Sequence, residues 1–160
     1  MELGAEAGME GITGRASMIM VLEAAYAAWA AGDLQATLSW FDEDVEFVIH
    51  LPPEVVPFAG PVRGRDKLAQ RLQSIIDEFD FIEYVPVQIT PYGEAFHSQV
   101  RFHYRHKATG LEYEGTMRHT WRIEGDRIMR FEEHHDAERV RAFFQLLQAA
   151  KAGCSGSGKG

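Results

Sequence analysis

Two side chains stand out for the chemistry they could do together, His119 and Glu133. Each lies in a stretch where apolar and polar residues alternate, the mark of a strand with one buried face. On the first stretch Tyr113, Gly115, Met117, His119, Trp121 and Ile123 share a side, against Glu114, Thr116, Arg118, Thr120 and Arg122. On the next, Met129, Phe131, Glu133 and His135 oppose Ile128, Arg130, Glu132 and His134. With the aromatic sides inward, a carboxyl and two imidazoles face one apolar interior. Desolvation there raises a carboxyl pKa, so Glu133 is expected to work as an acid or base near neutral pH. His119 would orient it and relay the proton. The other reading is a satisfied His–Glu pair of purely structural value.

Further side chains are candidates to meet a small hydrophobic molecule in that interior. Tyr26 and Trp29 fall with Leu22 on one face of a helix, and the Tyr26 hydroxyl can aim inward. Phe47 comes from the first strand, and Phe102 from a wall shared with Phe96, Val100 and Tyr104. Met117, Trp121, Phe131 and His135 complete the set. Each of these also suits a plain core. His50 ends the first strand on the side opposite Phe47 and Ile49, which fits a solvated or loop-bonded imidazole better than a catalytic one. A binding or catalytic cavity requires a volume of roughly a few hundred Å3, whereas a scaffold domain requires none.

No metal and no cofactor are expected. His134 and His135 are adjacent, so on a strand they face opposite ways, and no ligand spacing of zinc type is present. Phosphate-cradling glycine loops, dinucleotide fingerprints and nucleophile elbows are missing from the sequence as well.

The elements that must position these residues follow from caps, breakers and periodicity. Ser17 caps a helix running to about residue 31, which Gly32 ends, and Asp33 caps a short helix with Leu34, Leu38 and Phe41. Residues 45 to 51 form the first strand, and Pro52, Pro53, Pro57, Gly60 and Pro61 enforce a loop. A helix over about 66 to 79 carries Leu68, Leu72, Ile75 and Ile76, and strands follow over 82–90, 95–106, 113–123 and 127–135. Asp136 caps a closing helix with Val140, Phe143, Phe144 and Leu147. Helices first and an antiparallel meander afterwards predict an α+β fold. It is a cone-shaped roll, with a curved, mainly antiparallel sheet wrapped around the N-terminal helices and a C-terminal helix closing it. Residues 1–14 are expected to be loose, 15–150 to form the domain, and 151–160 to be a flexible tail.

Sixteen basic against twenty-four acidic residues leave a net charge of −8, with no Lys/Arg run, so nucleic acid is not an expected partner. The apolar stretch 18–31 contains Glu23 and is too short to span a bilayer, so no membrane association is expected. The single cysteine, Cys154, forms no internal disulfide and fits a cytoplasmic location.

Local sequence resembles the SnoaL-like polyketide cyclases of the nuclear-transport-factor-two-like class over about residues 18 to 148. The resemblance rests on Ala31-Gly32-Asp33-Leu34 with Phe41-Asp42-Glu43-Asp44-Val45, and on Ile49-His50-Leu51-Pro52 with Pro57-Phe58-Ala59-Gly60 and Arg63-Gly64-Arg65-Asp66. Gly125-Asp126-Arg127-Ile128, followed by Asp136, is similar to the family's last hairpin. Members include cofactor-free cyclases, isomerases, dehydratases, epoxide hydrolases and plain binding modules. The resemblance implies that His119 and Glu133 stand where the cyclases keep a His and an Asp as acid/base pair, with Glu replacing Asp. It also matches His50 to a His common in the family's loop. Ile49 stands where the steroid isomerases of this fold keep a general-base Asp, so that activity is not expected. Proteins of this fold often pair through the sheet's outer face, which here carries His97, Gln99, Arg101, Thr116, Arg118 and Thr120, so a homodimer is expected.

Overall fold

A computed structural model describes the backbone over residues 3–156 and side-chain surroundings over 14–153. Helix α1 (Leu3–Ala30) stops where Gly32 takes φ 72°, a conformation that costs a residue with Cβ more than it costs glycine. The next residue starts α2 (Leu34–Leu38): the Asp33 carboxylate accepts the Ala36 N–H at 3.0 Å. Strands β1 (Phe41–His50) and β2 (Gly60–Arg63) precede α3 (Arg65–Glu78). The meander β3 (Phe79–Tyr92), β4 (Ala95–His106), β5 (Glu112–Glu124) and β6 (Arg127–His134) leads into α4 (Ala137–Gly156).

The strands form one open sheet in the order β2-β1-β6-β5-β4-β3, antiparallel throughout except for the parallel pair β1–β6. That parallel join returns the end of the meander to the start of the chain, so residues distant in sequence meet. Register shifts at Phe81/Glu83, Pro86/Gln88 and Arg122/Ile123 are bulges, which bend and twist the sheet. On its concave side Leu22, Ala25 and Tyr26 of α1 and Leu68, Leu72 and Ile75 of α3 meet Phe47, Val100, Phe102, Met117 and Phe131 in one core. Each large apolar side chain buried there contributes about 2 kcal/mol. A second cluster joins Val56 and Ala59 of the loop to Phe79 and to Val140, Phe143, Phe144 and Leu147 of α4. The α+β roll with its closing helix is thus the architecture expected. Among the described residues no helix is long and apolar enough to cross a membrane.

Several local expectations change. Ser17 lies inside α1 and caps nothing, and the looseness expected of residues 1–14 falls, apart from Gly14, on side chains outside those described. Phe41 opens β1 instead of closing α2; it pairs with Ile128, and the polar run Asp42–Asp44 hides the strand's alternation. Part of the predicted loop is strand β2, which pairs only with β1 and tolerates Pro61 because it is an edge. The faces of β6 switch at the bulge, so Ile128 is fully buried and Met129 is not, the reverse of strict alternation. Helix α4 continues to Gly156, past Lys151 where the tail was expected to begin.

Candidate active site

Three inward side chains on neighbouring strands create the site. Ser98 of β4 faces His119 of β5, and His119 faces Glu133 of β6, each pair in direct register. Facing side chains in such ladders start about 5 Å apart at Cβ, close enough to bond. His119 Nε2 lies 3.0 Å from Glu133 Oε1, and His135, one residue beyond β6, brings Nε2 to 2.8 Å from Glu133 Oε2. From α1, Tyr26 places its hydroxyl 2.6 Å from His119 Nδ1 and beside Ser98 Oγ. Trp121 Nε1–H donates to Ser98 Oγ at 2.9 Å and to Tyr26 at 3.1 Å.

The protons can be placed from donor inventory. A carboxylate only accepts, so both Nε2 atoms carry hydrogen. His119 Nδ1 then accepts, Tyr26 donates to it, and Ser98 donates to Tyr26. A continuous line runs Ser98, Tyr26, His119, Glu133, with His135 donating to the carboxylate from the far side.

This arrangement reverses the charge expectation. Burial does push the Glu133 carboxyl upward, but its interactions with His135 and His119 outweigh it and hold it well below the usual carboxylate range. Burial lowers the His119 imidazole from its ordinary value, against the opposing pull of Glu133. Glu133 is therefore an ionised carboxylate between imidazoles and not a neutral acid at physiological pH. Burial also raises the Tyr26, Tyr84 and Tyr104 phenols, so all three remain donors.

A cavity of about 100 Å3 opens against this network, smaller than the few hundred expected. Of the predicted contacts, Tyr26, Trp29, Phe47 and Phe102 line it, as do Met117, Trp121, Phe131 and His135. Glu133 reaches its wall, but His119 does not: Tyr26 stacks on its ring at 5.7 Å and Phe131 covers it at 4.6 Å. His50 is elsewhere. It lies on the outer face, 42% exposed, bonded to Glu132 at 3.0 Å and stacked on His134. Asp136 caps α4, its carboxylate 3.3 Å from the Arg139 N–H.

Sequence reasoning missed Ser98, Tyr84 and the lining residues Val56 and Phe58. Ser98 had a readable signal, being a polar residue set between Phe96 and Val100 on an otherwise apolar stretch of one strand face. Tyr84 had none, because the β3 bulges scramble alternation around it.

No curated protein sequence matches the chain. Solved structures do. An NTF2-like protein of unknown function from Burkholderia pseudomallei aligns at TM-score 0.70 and 19% identity, over 80% of this chain and 97% of that one. A candidate isomerase from Rhodopseudomonas palustris aligns at 0.68 and 16%, over 79% and 96%. A candidate polyketide cyclase from Xanthomonas campestris pv. campestris gives 0.66 and 18%, over 82% and 98%. At such identities the likeness is one of fold. The family model of the SnoaL-like domain matches residues 22–131, a span that contains Tyr26, Ser98, His119 and the sheet core. Together with the helix-lined roll around a polar network, that match establishes that the chain belongs to the SnoaL-like domain family.

Proposed function

We propose that the chain is a cofactor-independent acid/base enzyme. It would move a proton on a small, hydrophobic carbonyl or polyketide-like substrate, leading to cyclisation, isomerisation or dehydration. The observation that supports this most is a buried, hydrogen-bonded His–Glu–His unit whose carboxylate and one imidazole reach an aromatic cavity. Glu133 holds both rings in a defined tautomer, and because its carboxyl is held ionised, the proton passes through a ring. The aromatic wall excludes water and strengthens each of these interactions. Structural neighbours described as isomerase and polyketide cyclase are in keeping with proton transfer of this kind.

A second reading, a binding module for a small hydrophobic ligand, is favoured by the ionised carboxylate and by the small cavity. Hydrogen–deuterium exchange at the α-carbon of a panel of cyclic ketones separates the two. An enzyme of the proposed kind exchanges them faster than buffer, and His119→Ala slows it. Saturable binding with exchange at the buffer rate throughout would favour the module.

A further inference from the structure

Among the described residues, His135 Nδ1 is the buried side-chain nitrogen or oxygen without a hydrogen-bond partner. Its ring is 9% exposed and lines the cavity. In the neutral imidazole, with Nε2–H committed to Glu133, Nδ1 carries a lone pair and needs a donor. An unpaired acceptor in an apolar interior costs about 1–3 kcal/mol, and a ligand that donates to it removes that cost.

The wall around Nδ1 restricts what that donor belongs to. Its one ionised group is the Glu133 carboxylate, and neither lysine nor arginine lines it. The guanidinium of Arg71 is held by the Ala59 and Gly60 carbonyls, and that of Arg139 by the Glu114 carbonyl and the Tyr113 ring. An anionic ligand would enter with no counter-ion, beside a carboxylate, in a medium of low dielectric. An ammonium would have to share the Glu133 carboxylate with the two imidazoles that already donate to it. Tyr84 and Tyr104 offer neutral hydroxyls on the same wall. At about 100 Å3 the space suits one ring, since an apolar cavity of about 150 Å3 accommodates benzene.

We propose that the cavity takes a neutral single-ring molecule bearing a phenol-like or enolic O–H, which donates to His135 Nδ1. His135 is then the residue that receives the proton: the O–H proton moves to Nδ1, leaving an enolate or phenolate oxygen and an imidazolium paired with Glu133. The proton-transfer half rests on the acid/base reading above; the binding half does not.

Phenol is the probe, followed by calorimetry and by the 15N resonances of the His135 ring in the wild-type protein. Binding should shift the Nδ1 resonance while Nε2–H stays bonded. Benzoate should bind at least tenfold more weakly, and benzylammonium no more tightly than phenol. His135→Phe, which keeps a ring of similar size without the acceptor, should weaken phenol at least tenfold. No phenol binding, an unmoved Nδ1 resonance at saturation, equal affinity for benzoate, tighter benzylammonium, or unchanged phenol affinity in His135→Phe would each overturn the proposal. Phenol binding without ketone exchange by the wild type would retain the site and remove the enzyme. Exchange that persists in His135→Phe with unchanged phenol affinity would do the opposite.

Discussion

A carboxylate set between two imidazoles behaves unlike one set among aromatic rings, and Glu133 shows the difference. Its desolvation was readable in the sequence from the apolar neighbours on β5 and β6. The second hydrogen bond was not, because His135 lies past the end of the strand, where alternation says nothing about which way a ring turns. That bond decides the sign. A carboxyl with a folded pKa below its unfolded value near 4.5 stabilises the fold above that pH and loses the contribution as pH falls towards its folded pKa. His119 acts in the same direction earlier: lowered from 6.5, it is protonated more readily in the unfolded chain, so stability declines as pH drops below that value. The melting temperature should therefore fall steadily from pH 7 to pH 4, and less steeply in the double variant His119→Gln with Glu133→Gln. Parallel slopes would show that other groups set the acid limb. At the other end of the line, Tyr26→Phe removes the donor to His119 Nδ1 while Trp121 keeps Ser98. Thermal or denaturant unfolding should register a loss of about 1–3 kcal/mol.

The elements differ in how well their patterns could be read. β4 and β5 alternate cleanly, and from their inner faces Phe102, Tyr104, Tyr113, Met117 and Trp121 line the cavity while Phe96 and Val100 stay in the core. β3 and β6 carry bulges, and each bulge reverses the faces of the residues beyond it, so Tyr84 and Ile128 could not be placed by counting in twos. β2 is short and begins Gly60-Pro61, a pairing that reads as loop until β1 is available beside it. Helix α4 was legible from its 3.6-residue stripe, yet its place in the cavity wall needed the loop residues Val56 and Phe58 that pack with it. Phe143 is 6% exposed at that junction, stacked on Tyr113 at 5.0 Å. Phe143→Ala should cost about 3–5 kcal/mol in denaturant unfolding and enlarge the cavity towards bicyclic ligands. A change under about 1 kcal/mol would mean that α4 packs loosely there.

At the scale of the whole molecule, the order of helices and strands pointed to this roll because short turns leave a meander few other arrangements. The substrate was not legible in the same way, since related folds carry many chemistries. The outer face of β3, β4 and β5 is the remaining large surface. Val85 and Val87 stand exposed on β3, Val85 in register with Arg101 of β4. We propose that two copies pair through this face about a two-fold axis. Light scattering at tens of micromolar should give the dimer mass, and Val85→Glu with Val87→Glu should give the monomer. A monomer mass for the wild type would end that proposal.

Proton transfer at the His–Glu–His unit is the claim on which the functional account depends. Glu133→Gln preserves shape and one acceptor oxygen but removes the charge that orients both rings and stabilises an imidazolium. Turnover of the best ketone from the exchange panel, measured alongside melting temperature, tests it most directly. The account predicts a rate about a hundredfold or more below wild type in a protein that still folds. Full turnover in folded Glu133→Gln would contradict it.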